Sequence, residues 1–223
     1  SSVSEGSYDY LVTSDSSPNT ASKGGTIVGT ASNFTGVTVD NSAPTAPTLS
    51  ITDTGNTTDR ITSNTTVNVG GLETNATWEY STDSGASWTA GTGSSFSVAA
   101  GSYTAGQVRV RQTDVAGNVS PVNTTFAAFT VDTAAAAPTL SITDTGNTTD
   151  RITSNTTVNV GGLETNATWE YSTNSGTSWT AGTGSSFSVA AGSYTAGQVQ
   201  VRQTDVAGNV SPVNTTFAAF TVD

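Results

Sequence analysis

The 223-residue chain contains no Cys and no His, which excludes disulfides, thiolate and imidazole metal sites, and catalytic triads that use a histidine base. Its 17 acidic and 6 basic residues give a net charge of −11, so binding to nucleic acid or to anionic lipid is disfavoured, and no apolar run approaches the roughly 18 residues of a membrane span. Hydrophobic residues still make up 34% of the chain, which indicates packed cores rather than disorder.

The first segment, residues 1–44, contains two stretches in which apolar and polar residues alternate. Tyr8, Tyr10 and Val12 alternate in the first stretch, and the second, 34–40, resembles the segment 126–132 farther along the chain. Such alternation indicates strands with one buried face. Because two strands alone are marginally stable, we interpret 1–44 as the last two strands of a preceding immunoglobulin-like domain, with its joint, whose remainder is missing or supplied by another chain.

Residues 47–132 show the same period of two over about seven short runs. Val67 and Val69 alternate in one run, and Val108 and Val110 in another. Gly, Ser, Thr and Asn separate the runs, and none shows a helical stripe at i, i+3 and i+4. Short strands with one buried face predict an all-β fold of antiparallel immunoglobulin-like β-sandwiches, with Trp78 of the third strand in the core.

This segment is repeated almost without change at 138–223. Only three of the 86 positions differ, as Asp83/Asn174, Ala86/Thr177 and Arg109/Gln200. Each copy has the length of a domain, and the joint between them is short. We therefore predict two tandem sandwiches, repeat 1 at 45–134 and repeat 2 at 135–223.

Three motifs of each copy, in fixed order, resemble the bacterial Ig-like repeats of giant surface adhesins. In repeat 1 they lie at 53–62 (DTGNTTDRIT), 71–88 and 107–118 (QVRVRQTDVAGN). The resemblance implies an extracellular, cell-surface location, in many cases after type I secretion. It also implies that such repeats extend the adhesin, and that their partners are neighbouring Ig-like repeats of the same chain.

The motifs that could carry chemistry favour structural roles. The run 81–88 resembles a hairpin turn in which Asp83 caps backbone N–H groups, Gly85 takes an unusual φ and Trp88 packs over the turn. A glycosidase needs two carboxylates facing each other across a cleft, but Glu79 alternates outward and nothing indicates a pocket. We predict that the chain is not an enzyme.

The aspartates are the candidate metal ligands, because Ca²⁺ takes six to eight oxygen ligands. In this sandwich the A–B loop and the end of strand G lie at the C-terminal end of a domain, and the F–G loop lies at the N-terminal end. Four aspartates should therefore meet at the joint between the repeats, namely Asp53, Asp59, Asp132 and Asp205. The equivalent positions at the other ends are Asp144, Asp150 and Asp223, and Asp40 with Asp114.

A cation at the joint would neutralise the repulsion among these carboxylates, so calcium is the expected cofactor. The alternative is a metal-free role in turns, because Asp53 precedes Thr-Gly and Asp59 is suited to capping.

We predict a structural spacer of a large bacterial surface adhesin, which projects a distal binding region for attachment or biofilm formation and is stiffened by calcium at its joints. One alternative is a subunit of an extracellular filament or surface layer, with self-association through strand complementation by residues 1–43. Another is a carbohydrate-binding module, although exposed aromatic residues beyond Trp78 and Trp88 are scarce.

Overall fold

A computed structural model describes residues 6–13 and 31–223, with side chains described from residue 39 onward. This part of the chain consists of strands, turns and loops, and it contains no helix that could cross a membrane. The fold class is all-β, as the alternating pattern predicted.

Strands β1 (Gly6–Thr13) and β2 (Ala31–Val39) form an antiparallel pair with an irregularity between Tyr8 and Tyr10. The pair lies where the sequence predicts two strands. Residues 1–5 and 14–30 of the predicted partial domain lie outside the described residues. Its assignment to a preceding sandwich stays a prediction.

Repeat 1 contains nine short strands rather than the seven expected. They are β3 (Thr48–Ile51), β4 (Ile61–Thr62), β5 (Thr66–Gly70), β6 (Thr77–Ser81), β7 (Thr89–Ala90), β8 (Ser95–Ser97), β9 (Gly101–Tyr103), β10 (Arg109–Thr113) and β11 (Phe129–Val131). The excess arises partly because the first strand is split into β3 and β4 by the loop 52–60, and partly because short edge pairings such as β7 carry no apolar alternation.

Three small sheets build the sandwich of repeat 1, in the orders β3-β5-β8, β10-β6-β7 and β4-β11-β9. All of their pairings are antiparallel except β4 with β11, which is parallel. The inner faces carry the alternating valines and aromatic residues that the sequence marked. This is the architecture of an immunoglobulin-like β-sandwich.

Repeat 2 has the same nine strands in the same sheet orders. They are β12 (Thr139–Ile142), β13 (Ile152–Thr153), β14 (Thr157–Gly161), β15 (Thr168–Ser172), β16 (Thr180–Ala181), β17 (Ser186–Ser188), β18 (Gly192–Tyr194), β19 (Gln200–Thr204) and β20 (Phe220–Val222).

Each repeat encloses its own hydrophobic core. The core of repeat 1 lies within 67–131 and that of repeat 2 within 158–222. Trp78 is 5% exposed and donates its indole N–H to the carbonyl of Gly93 at 3.0 Å, and Tyr80 stacks on Phe96 with ring centroids 4.0 Å apart. The prediction that Trp78 lies in the core is confirmed.

Candidate functional site

The two sandwiches contact each other through two loops whose meeting the topology predicted. The A–B loop of repeat 1 (residues 52–60) lies against the F–G loop of repeat 2 (residues 205–209). Together with the linker 133–137 these loops form what we call the joint. The joint is the site to which the sequence assigned the candidate metal ligands.

Three hydrogen bonds cross the joint. The Thr54 hydroxyl donates to the Ala207 carbonyl at 2.6 Å, and the Asn56 N–H donates to the Val206 carbonyl at 2.9 Å. The side-chain amide of Asn209 donates to the carbonyl of Asp132 at 2.8 Å. These bonds use backbone carbonyls of both repeats. They therefore define the position of one loop relative to the other, and do more than keep the loops close together.

Close backbone contact at Gly55 explains why this loop contains a glycine. A Cβ added to Gly55 would lie 2.2 Å from the Val206 carbonyl oxygen and 2.6 Å from the Gly208 nitrogen. Both are backbone atoms, so neither can move aside cheaply. The equivalent Gly146 of repeat 2 has a similar positive φ but nothing within 4 Å of an added Cβ. The close backbone contact is therefore made only by the glycine that lies at the joint.

A buried glutamine attaches the linker to repeat 2. Gln203 has no exposed surface, and its side-chain amide donates to the carbonyls of Ala136 and Gly162 at 2.7 and 3.2 Å. Its side-chain oxygen accepts the Glu164 N–H at 2.8 Å. The Glu164 carboxylate in turn accepts the Ala136 N–H at 2.7 Å. The linker is therefore bonded to repeat 2 at Ala136 from both sides.

Sequence reasoning missed Gln203 and its counterpart Gln112, although a signal was present. Gln112 follows Val108 and Val110 at a spacing of two, which places it on the inner face of β10. A polar residue at an inward position of a strand must find internal hydrogen-bond partners, because an unpaired buried amide is costly. Gln112 bonds to Thr45, Gly71 and Glu73 in the same manner as Gln203 does in repeat 2.

The predicted aspartates at the joint are each bound to their own loops. Asp53 and Asp59 accept the N–H groups of Arg60 and Ile61, at 3.0 and 2.9 Å. Asp132 accepts the Ala134 N–H at 3.2 Å. Asp205, 6% exposed, accepts bonds on both carboxylate oxygens from Asn209 at 2.8 Å.

Two of these aspartates line one groove. Asp59 and Asp205 both line a groove of about 850 Å³ at the joint, together with Asn56, Asn166 and Thr165. The described residues contain no cluster of three or more acidic side chains close enough to hold a metal ion. The buried Oδ1 of Asp53 has no hydrogen-bond partner in this part of the chain, and the same holds for Asp144. A bound cation or water would satisfy these two oxygens, but the same unpaired oxygen occurs in both repeats and is therefore not a feature of the joint.

The remaining predicted ligands lie at the outer ends of the two sandwiches. Asp144 and Asp150 accept the N–H groups of Arg151 and Ile152, and Asp223 follows β20. At the other end Asn118 links Asp114 to Asp40. It donates to the Asp114 carboxylate and to the Asp40 carbonyl, at 2.8 and 3.1 Å. The bond from Asn118 lowers the pKa of Asp114.

The turn 81–88 has the geometry that its sequence predicted. Asp83 accepts the N–H and hydroxyl of Ser87 at 2.9 and 2.5 Å, and these bonds hold its pKa well below the usual range. Gly85 has φ +89°, and its position lies next to the Trp88 ring. In repeat 2 Asn174 also accepts the Ser178 N–H, at 2.9 Å, but its side-chain amide donates to the Ser178 hydroxyl at 2.8 Å, so the charge is not needed for the turn.

All four Trp side chains pack against other side chains of their own repeat. Trp78 and Trp169 are buried in the two cores. Trp88 is half-buried beneath the guanidinium of Arg111, 4.2 Å from the ring centroid, and Arg111 pairs with Glu79 at 2.8 Å. Repeat 2 has the same arrangement at Trp179. An uncovered aromatic platform of the kind that stacks on sugars is therefore not formed by these tryptophans.

These features define the protein as a tandem pair of immunoglobulin-like β-sandwich repeats with a docked joint. No protein-family model matches the chain, and no curated protein matches it. Among solved structures it is similar to the fibronectin(III)-like modules of Clostridium thermocellum CbhA, at 10% identity and a TM-score of 0.36. That match covers 79% of this chain and 94% of the module chain. The fold assignment rests on the strands and cores described above.

Proposed function

We propose that the chain is a spacer segment of a large extracellular bacterial surface adhesin, which holds a distal binding region away from the cell. The single observation that carries this proposal is the docked joint. Three hydrogen bonds, the glycine contact at Gly55 and the linker bonded by Gln203 all oppose bending between the repeats. Two sandwiches in a fixed relation suit a stiff rod, and a catalytic role needs none of these features.

We also propose that calcium bound at the joint makes it stiffer. Asp59 and Asp205 line the same groove from different repeats, and one carboxylate oxygen of Asp53, in the same A–B loop as Asp59, has no partner in the described part of the chain. Carboxylates brought together from two sides of a joint repel unless a cation neutralises them. A cation bound there would hold the two loops together more strongly than the three hydrogen bonds alone.

The test measures how far the repeats project a tag from a surface. Residues 45–223 are displayed on cells in one, two or four tandem copies between a membrane anchor and a fluorescent tag, and the height of the tag is measured. A stiff spacer adds a constant increment of roughly 35–40 Å per sandwich, estimated from strand length plus loops. A flexible chain instead gives a height that grows as the square root of copy number, and this result would contradict the proposal.

Matched variants make the measurement specific to the joint. Gly55→Ala should reduce the height, because its Cβ would collide with the backbone of repeat 2. Gly146→Ala in a terminal repeat introduces the same residue at a similar φ without that contact. Equal heights for the two variants would show that the docked loop does not determine the stiffness.

A further inference from the structure

The contact between the two repeats is small and polar. Neither hydrophobic core contains a residue of the joint. Among the residues of the two loops, Asp205 and Ala207 are buried and the others are partly or fully exposed. The groove of about 850 Å³ lies beside the three hydrogen bonds, so the repeats do not pack over their whole facing surfaces. Domains that share no apolar core are free to move relative to each other once the bonds between them break.

The A–B loop is folded by hydrogen bonds within its own repeat. Asp53 accepts the Arg60 N–H at 3.0 Å, and in repeat 2 Asp144 accepts the Arg151 N–H at the same distance. Nothing lies within 4 Å of a Cβ added to Gly146 in this second loop. The loop therefore has the same internal bonds whether or not it makes the close contact of the joint.

The F–G loop is folded in the same independent way. Asp205 accepts the Asn209 N–H at 2.8 Å, and in repeat 1 Asp114 accepts the Asn118 N–H at the same distance. Both loops of the joint are therefore preformed. Separating them breaks the three hydrogen bonds across the joint and leaves the internal bonds of each loop intact.

The linker limits how far the repeats separate when the two loops part. Repeat 1 holds the chain up to Asp132, whose N–H donates to a backbone carbonyl of β4 at 2.9 Å. Repeat 2 holds it from Ala136, which donates its N–H to the Glu164 carboxylate and accepts the Gln203 amide, both at 2.7 Å. Only residues 133–135 lie between these anchors, and the four chain links from residue 132 to 136 reach at most about 14 Å. Bending is therefore confined to three residues.

We propose that the joint is a reversible hinge, in which the two loops part and dock again as preformed units while the repeats bend at 133–135. Both sandwiches stay folded throughout. The short linker keeps each loop at a high effective concentration near the other, so the docked state is favoured and is restored after bending. Such a hinge lets a row of repeats yield to a sideways load without exposing its cores. The inference goes beyond the spacer function, because a joint that never opens would contradict the hinge and would still be a stiff spacer.

Relaxation-dispersion and saturation-transfer NMR on the full, isotope-labelled chain test the hinge, because domain motions fall in the microsecond-to-millisecond range that dispersion reports. The amides of Asn56 and of residues 206–208 should exchange with a minor state. In that state the Asn56 amide should have the chemical shift of the Asn147 amide, which lies in identical sequence in the A–B loop of repeat 2. The amides of Val67 and Val158, in the two cores, should not take part in this exchange.

Two matched variants assign the exchange to the joint. Thr54→Val removes the hydroxyl that donates to the Ala207 carbonyl, and the loss of one hydrogen bond should raise the population of the minor state roughly 2- to 12-fold. Thr145→Val removes the equivalent hydroxyl from the A–B loop of repeat 2, where it makes the same bonds within its own loop. This control should leave the population unchanged.

Four results would overturn the hinge. They are no exchange in either the wild type or Thr54→Val, equal effects of the two variants, minor-state shifts at random-coil positions, and exchange that the core amides share. The first would leave a permanently docked joint, and the last two would show that the joint opens only when a loop or a sandwich unfolds.

Discussion

Gln112 and Gln203 are polar, but each stabilises its repeat from a fully buried position by hydrogen bonds to three backbone groups. We expect Gln203→Ala to leave the Glu164 N–H and the carbonyls of Ala136 and Gly162 unpaired, at a cost of roughly 1–3 kcal/mol for a buried polar group. Hydrogen exchange measures the effect directly. The Glu164 amide should exchange faster, while the Glu73 amide, held by Gln112, should keep its rate in the same sample.

The core tryptophans allow a second test at the scale of single residues. Trp78→Ala should destabilise repeat 1 by roughly 3–5 kcal/mol, the usual cost of truncating a buried Trp. Trp88→Ala is the control, because its ring is half-buried and its contact with Arg111 is worth only about 0.5–1 kcal/mol at an exposed site. Guanidinium unfolding of the two variants compares the costs, and equal values would contradict the assignment of Trp78 to the core.

Asp83 makes one turn sensitive to acid. The Ser87 hydroxyl and N–H lower its pKa below the ordinary 3.8, so it stabilises the fold above that pH and this contribution is lost as pH falls through the lower folded value. The Ser87 amide shift should therefore change in strong acid, whereas the Ser178 amide, bonded to the uncharged Asn174, should not. Asp83→Asn should remove the response. A response that persists in this variant would assign it to another group.

At the scale of elements, the sequence was sufficient to predict strands, repeats and the meeting of two loops. The alternation of valines fixes which side of each strand is buried, and sandwich topology then determines which loops share an end. The hydrogen bonds between these two loops could not be predicted from the sequence, because they use backbone carbonyls, which every residue possesses. Thr54, Gly55 and Asn209 form the joint through such atoms. The aspartates were predicted as calcium ligands because of their charge. The alternative role in turns, given for Asp53 and Asp59, agrees with the backbone N–H groups that both accept from their own loop.

The whole molecule should respond to a change in one loop. Gly55→Ala should broaden the distance distribution in small-angle scattering of the full chain and shorten its maximum dimension, because the two sandwiches lose their fixed relation. Gly146→Ala should reproduce the wild-type curve, since its Cβ meets nothing within 4 Å. If both variants scatter alike, the joint is not what holds the sandwiches in line.

Calcium provides a separate prediction at this scale. Millimolar calcium should extend the molecule relative to chelator, because ligands from both repeats would then be held by one ion, and binding at 100 times Kd adds about 2.7 kcal/mol. Asp205→Ala should remove the response, and Asp114→Ala, the same change at the outer end, should keep it. Identical curves with and without calcium, together with no heat in calorimetry, would leave these aspartates as turn residues.

The parallel pairing of β4 with β11 has a mechanical consequence. It joins the beginning of repeat 1 to its end, through bonds from Thr130 N–H to the Arg60 carbonyl and from Asp132 N–H to the Thr62 carbonyl, both at 2.9 Å. Tension applied to the two termini of a sandwich pulls parallel neighbours in opposite directions along their length. Both bonds are then sheared at the same moment instead of being unzipped one after the other. Forced unfolding depends on the unfolding rate. The β4–β11 pair is therefore the part of the sandwich that would resist unfolding when fluid flow stretches the chain.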